Sequence, residues 1–317
     1  MLWGIMSFEP GHVYIAPEQK LMGSAAQHDE AVDAATSTCA LLRFRKRRGT
    51  RHLQSSDRTG GRRGDMGEDL ILQRLKEALS AIVTDHQLGG ESVLVTVEPL
   101  SAAQAIGRPQ RQDFPLLEGR EVMIEAEFRG SFGQAFTDHP RGFEGSLDDV
   151  QRLALDRSDN RAIFVSTLNA VACHLGIARG TRHCRHEDPE RCGTEIASRL
   201  FRDFGRIRIG LLGFQPAIAA HLAERFGAAN VRCTDLNPAN IGSCKGGVGI
   251  EDGRTDTGNV VAWSDVLLVT GSAIVNDTFD EIYEAAACGE KALLVFGVTG
   301  AGAAALLGLK RVCPFAR

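Results

Sequence analysis

The stretch His183-Cys184-Arg185-His186-Glu187-Asp188-Pro189-Glu190-Arg191-Cys192 gathers thiols and imidazoles at close spacing. Thiolate and imidazole together suit zinc or a softer metal, because both are polarisable donors. The residues around them are polar and offer no evident core to join, so a loop is expected over residues 178–189 and, more broadly, a linking segment over 178–205. His183, Cys184 and Cys192 are the first candidate ligands. Cys313, in Cys313-Pro314-Phe315, would add a further one if the C-terminal tail folds back. The Cys-x7-Cys spacing is not that of a zinc finger. The alternative is a surface loop whose His and Cys make local hydrogen bonds. Cys173 and Cys288 fall in expected helices and Cys233 in an expected strand, where a thiol packs as a small apolar group. Eight cysteines scattered through 317 residues do not make a disulfide framework.

A second set of candidates lies where strands would end. Apolar, β-branched strands are expected over 208–212, 231–234, 265–270 and 291–296. They alternate with helices over 216–226, 278–287 and 303–309, the second opened by Thr278 and Glu281 as a capping box. Strand and helix in alternation predict an α/β fold, a Rossmann-like parallel sheet covered on both faces. In such sheets ligands sit beyond the carboxyl ends of the strands. The first loop, Gly213-Phe214-Gln215-Pro216, places Pro216 at a helix N1 position and leaves N–H groups for an anion. It is not Gly-x-Gly-x-x-Gly, which argues against a nicotinamide dinucleotide. In the second, Asp235 and Asn237 either meet ribose hydroxyls, which would make the chain an enzyme for a nucleoside-containing ligand, or cap their own turn. The third offers Thr270, Gly271 and Asn276, and the fourth is the glycine-rich turn around Thr299. No Ser-His-Asp or paired-carboxylate pattern identifies a reaction.

The preceding half reads differently. An amphipathic helix is expected over 69–83, strands over 93–97 and 121–128, and a hairpin through Arg129-Gly130 into 131–137. Helices follow over 147–155, with Ser146 and Asp149 as a capping box, and over 162–175. Strands followed by helices indicate a small α+β domain over 66–177, ahead of the α/β domain at 206–317.

Residues 1–65 hold ten Lys/Arg against seven Asp/Glu, and the remainder holds 26 against 33. A mildly acidic folded part argues against a nucleic-acid surface. No apolar run is long enough to span a bilayer, and the start has no secretory pattern, so no membrane partner and a cytoplasmic location are expected. Residues 1–65 are polar, basic and without apolar periodicity, and are expected to be a disordered leader. Truncation to Met66 should therefore leave the thermal midpoint nearly unchanged. A fall of many degrees would show that the leader packs on the body.

Gly210-Leu211-Leu212-Gly213-Phe214-Gln215-Pro216, Thr234-Asp235-Leu236-Asn237-Pro238, Thr270-Gly271-Ser272-Ala273-Ile274-Val275-Asn276-Asp277-Thr278 and Gly297-Val298-Thr299 together resemble the putative heavy-metal-chelation domain family. The segment over 66–176 is similar to the partner domain of those proteins, which has the fold of the enolase N-terminal domain. The resemblance implies a ligand site in the cleft between the two domains, faced by Asn169, Asp235, Thr270 and Asn276, and binding of a soft or borderline divalent metal. Asp277 stands where the family pattern has glycine.

Overall fold

The computed structural model describes residues 70–90, 94–117 and 121–317. All of them fall in the unit Asp69–Arg317. The expected leader over 1–65 lies outside the described residues.

Helix α1 (Leu70–Asp85) buries Ile71, Leu75, Leu79 and Val83, one stripe at i, i+4, i+8, i+12. Strands β1 (Leu94–Leu100), β2 (Val122–Phe128), β3 (Ser131–Thr137) and β4 (Phe143–Ser146) make an antiparallel sheet in the order β3-β2-β1-β4. Arg129 and Gly130 both take positive φ, 49° and 75°, as a primed hairpin turn requires. Short helices follow β1 (α2, Ala102–Ile106) and β4 (α3, Leu147–Gln151), the latter opened by the Ser146/Asp149 capping box.

Helix α4 (Ser158–His174) is buried on nearly every side, because it lies between this sheet and the next layer. Its approach to β3 depends on Gly133, where a Cβ would come within 2.2 Å of the Ala170 nitrogen and 2.3 Å of the Ser166 carbonyl oxygen. Residues of α1, the antiparallel sheet, α4 and one face of the second sheet share a single apolar core.

The second sheet is built from β5 (Ile209–Leu212), β6 (Val231–Asp235), β7 (Cys244–Lys245), β8 (Val248–Asp252), β9 (Val266–Thr270) and β10 (Ala292–Phe296). Their order is β10-β9-β5-β6-β8-β7, parallel except for the edge strand β7. Counting the parallel strands alone, this is the 3-2-1-4-5 order of a doubly wound sheet, so the expected α/β class holds. Side chains alternate between its two faces. Leu267 and Val269 enter the core shared with the N-terminal layer, and Val266 and Leu268 enter a separate one. The first face is covered by α7 (Thr257–Trp263), α9 (Phe279–Cys288) and α10 (Ala301–Leu307), the second by α5 (Asp188–Phe204) and α6 (Pro216–Phe226).

Three local expectations are corrected. Residues 188–204 are the helix α5, not a loop. Pro189 stands in its first turn, and Cys192, Ile196, Ala197 and Leu200 enter the second core. Gly193, a poor helix former, masked the pattern. It is needed because a Cβ there would lie 2.7 Å from the Ala217 carbonyl oxygen of α6. The Thr278/Glu281 capping box does not form: the Thr278 hydroxyl donates instead to the Ala273 carbonyl. Cys233 is fully buried, but Cys173 is only half-buried and Cys288, at the end of α9, is exposed. At Asp277 φ is 59°, so the aspartate adopts the left-handed backbone that glycine takes most readily. It lies 3.9 Å from the Arg161 guanidinium.

Candidate metal centre and strand-end loops

The loop before α5 is fixed by the edge strand β3. Gln134 N–H donates to the Thr181 carbonyl at 3.0 Å, the Thr181 hydroxyl to the Phe132 carbonyl at 2.6 Å, and His183 N–H to the Gln134 side-chain oxygen at 2.6 Å. Arg182 grips Glu125 of β2 through both Nε and Nη2, at 2.8 and 3.1 Å, and lies over the Phe132 ring.

The C-terminal tail comes back to this loop. After β10 it runs beside Val295, and Arg311 donates to the carbonyls of Gly297, Arg179 and Gly180 at 3.0, 3.0 and 2.7 Å. Arg317 and Arg182 exchange backbone hydrogen bonds, both at 2.8 Å. Gly180 permits the contact: a Cβ there would meet Ala316 at 2.9 Å. Arg191 of α5 covers the Phe315 ring at 4.3 Å.

These anchors bring Cys184, Cys192, Cys313 and His183 together. Cys184, Cys313 and the Phe315 backbone all act on the Cys192 thiol. The Cys184 Sγ lies 3.7 Å from His183 Nδ1, and that nitrogen donates to the Cys184 carbonyl at 2.6 Å, leaving Nε2 as the acceptor nitrogen. The His183 ring meets Phe136 edge-on at 5.6 Å. Cys184 and Cys192 are 5% and 6% exposed, whereas the His183–Cys184 contact is the local kind that the surface-loop alternative expects. The neighbouring Cys184 first and burial after it push the Cys192 thiol up to about 12, with Cys313 opposing. Cys313 is raised well above its ordinary value by its bond to Cys192 and by burial, with Arg311 opposing. Burial also lowers His183, against the Cys184 carbonyl and Cys313, which favour its charged form. Among the described residues no three or more His, Cys, Asp or Glu side chains point their donors at one ion.

The strand-end candidates are placed differently. Asn169 does not face a cleft. It is fully buried in α4, its Nδ2 donates to the carbonyls of Gln134, Val298 and Thr299 at 2.9, 3.2 and 3.1 Å, and its Oδ1 accepts from Gly302 N–H at 2.7 Å. Thr299 is likewise buried, its hydroxyl accepting from Phe136 N–H at 3.0 Å. Both residues join the two layers, because buried backbone groups there demand partners.

Gly213 takes φ 97° and packs on Thr270, whose Cγ2 would lie 2.4 Å from an added Cβ; Gly271 packs as closely on Gly300, with 2.2 Å to its nitrogen. The switch point between β5 and β9 is thereby filled by protein. Gln215 caps α6, its side-chain oxygen accepting from Ile218 N–H at 2.5 Å, and so occupies the donor offered to an anion. Asn237 accepts from Ala239 N–H at 3.0 Å, and Asn276 is exposed at the end of helix α8 (Ser272–Val275).

Asp235 keeps its place at the carboxyl end of β6, half-buried, but Oδ1 accepts from Asn237 N–H at 2.8 Å and Oδ2 from Asn240 Nδ2 at 2.9 Å. The turn-capping role is therefore realised. Glu121, at the entrance to β2, is a residue that sequence patterns did not single out. Burial first, then the charges of Asp235 and Asp138, push its carboxyl up to about 7. Below the ordinary value of 4.5 the group is protonated in folded and unfolded chains alike. As pH rises towards 7 the unfolded chain ionises first, so stability falls through that window and levels off above it. Urea unfolding should show the wild type losing about 2 kcal/mol across the window relative to Glu121→Gln. Parallel curves for the two proteins would refute the shift.

Residues 197–308 match a known family model. Its description is DUF364, putative heavy-metal chelation. The DUF364 match includes Gly213, Gln215, Asp235, Asn237, Thr270, Gly271, Asn276 and Thr299, whereas His183, Cys184, Cys192 and Cys313 all lie outside it. Among solved structures, the chain is similar to a protein with unknown function from the DUF364 family of Pyrococcus horikoshii. That protein is 18% identical, with 73% of this chain and 80% of that chain covered and a TM-score of 0.42. It is also similar to a DUF364 protein with unknown function from Desulfitobacterium hafniense, 12% identical over 74% of this chain and 83% of that one, with a TM-score of 0.44. No curated protein matches the chain. Among the described residues no helix is long and apolar enough to cross a membrane.

Proposed function

We propose that this protein binds a soft or borderline metal ion, with zinc as the reference case, through Cys184, Cys192, Cys313 and His183. One observation carries the reading: the buried Cys184 Sγ stands 3.7 Å from His183 Nδ1, where the Cys192 and Cys313 thiols also act on each other. Four side chains of the right softness thus belong to the region where the loop before α5, helix α5 and the C-terminal tail adjoin. Binding would release the thiol protons, and the sulfurs would hold the ion as thiolates, at ~2.3 Å in the case of zinc. The His183 Nδ1 bond to the Cys184 carbonyl holds the tautomer in which Nε2 can ligate, as outer hydrogen bonds do in zinc sites. The description of the matched family agrees in kind, although its segment does not include these residues.

The test is elemental analysis of untagged protein beside a zinc titration followed by thermal unfolding. Near-equimolar zinc, with a midpoint that rises with zinc concentration, is expected. Metal-free protein whose midpoint ignores zinc, cadmium and mercury would end the reading.

The second reading, an enzyme for a nucleoside-containing ligand, draws support from the strand order, which puts Asp235 at the carboxyl end of β6 beside the first parallel strand. A ribose would have to displace the Asn237 and Asn240 bonds to that carboxylate. A thermal shift with nucleosides, lost in Asp235→Ala, is its test.

A further inference from the structure

We infer that residues 107–117 form a lid, hinged at Gly107, over the first turn of α6 and the turn after β10, where parallel strands end. The opening itself depends on no ligand. What the lid admits rests on the second reading above, which places a ligand at those strand ends. The segment has no helix or strand of its own, yet it is braced from within. Gln112 Nε2 donates to the Pro109 and Gln110 carbonyls at 2.8 and 3.1 Å, Arg111 lies 3.2 Å from Asp113, and Leu117 N–H donates to the Phe114 carbonyl at 2.9 Å. A loop packed by its own side chains can move as one piece.

The base of the hinge is fixed. His186 N–H donates to the Ile106 carbonyl at 2.8 Å, and Arg185 Nη2 to the Ala103 carbonyl of α2, also at 2.8 Å. Gly107 then turns at φ 72° against the His186 ring, whose Cε1 would lie 2.7 Å from an added Cβ. Beyond the hinge, the polar side of the lid is latched to residues 186–190. Arg108 N–H donates to His186 Nδ1 at 3.4 Å, Gln110 N–H to Glu187 Oε1 at 3.1 Å, and Arg111 Nε to Glu190 Oε1. On the apolar side, Phe114 and Leu116 share one buried cluster with Ala217 of α6, Val298 and Met123.

The latch is the weak part of this arrangement. The bonds of Arg108 and Gln110 are exposed, and water replaces such bonds at little cost. That of Arg111 with Glu190 is charged and part-buried, which makes Arg111 the positioning residue of the lid. Beneath it, Ala217 and Val298 are fully buried and belong to elements held by the parallel sheet and its helices. Exposed hydrogen bonds and few buried side chains mark segments that open at lower cost than the whole fold.

The experiment follows thiol labelling, resolved by mass spectrometry, in the full-length Val298→Cys protein under native conditions. Cys233, fully buried in β6, is the internal reference for global unfolding. The new thiol should react about a hundredfold faster than Cys233 or more, because the lid opens without the rest. Adding Arg111→Ala should speed its reaction by roughly tenfold, as expected for loss of one charged hydrogen bond, and leave Cys233 unchanged. Should Val298→Cys not fold, Ala217→Cys places the thiol elsewhere in the same cluster and gives the same readout. Labelling in step with Cys233 overturns the inference, and so does a rate that Arg111→Ala leaves unchanged or raises equally at both thiols. Absence of any nucleoside thermal shift ends the second reading and leaves the lid standing.

Discussion

Replacing Asn169 by alanine is expected to cost about 3–5 kcal/mol of folding stability, near the upper end for a single substitution. The side chain donates to three backbone carbonyls, on β3 and on the Val298-Thr299 turn, and accepts from Gly302 N–H, all without solvent. Alanine leaves those groups buried and unpaired, and each unpaired group costs on the order of 1–3 kcal/mol. Asn169→Asp should be as damaging, because a carboxylate would face three carbonyl oxygens. Asn276→Ala is the matched control: Asn276 is exposed, and its loss should stay within about 0.5 kcal/mol. Urea unfolding of the variants checks this. A loss below about 1 kcal/mol for Asn169→Ala would mean that the turn at 298–302 reorganises or that water takes over the bonds.

Replacing Cys192 by serine is expected to lower zinc affinity by roughly a hundredfold or more, and to do so more severely than Cys184→Ser or Cys313→Ser. Both other thiols act on Cys192, so its loss removes the member common to the set, whereas loss of Cys184 or Cys313 leaves a coupled pair. Each variant should also make the segment from His183 to Cys192 easier to cleave when metal is present, because the ion no longer ties it to the tail. Cys173→Ser and Cys288→Ser should leave metal content unchanged, since the first sits half-buried in α4 and the second is exposed at the end of α9. Equal metal content in wild type and Cys192→Ser would remove this cysteine from the ligand set. A broken fold is recognised independently by the thermal midpoint of the metal-free variants.

Much of the architecture follows from local sequence. Alternation of apolar and acidic residues from Ile124 to Phe128, the Arg129-Gly130 turn, the Ser146/Asp149 capping box and Pro216 at a helix start are short-range signals, and each element stands where its signal puts it. Apolar runs alternating with helices likewise determine a parallel sheet, because only burial on both faces satisfies them. Cys184 and Cys192 stood out by residue type and spacing alone.

What spacing could not convey is which polar groups would end up paired inside. Thr299 stands in a glycine-rich turn and the family resemblance implies a cleft position for Asn169, yet both are spent on backbone groups more than a hundred residues away, and only the docking of α4 on the 298–302 turn decides that. Helix α5 was hidden because Gly193 lowers helix propensity, and the reason for a glycine there is the close passage of α6. Glu121 acquires its raised pKa from burial and from charges at Asp138 and Asp235, none of which a sequence window contains. Cys313 reaches Cys192 only because Arg311 and the Arg317–Arg182 bond pair return the tail to the loop before α5. Residue type determined which chemistry is available to this protein. The tertiary structure decided where it is assembled, because ligation and burial both depend on contacts between segments distant in the chain.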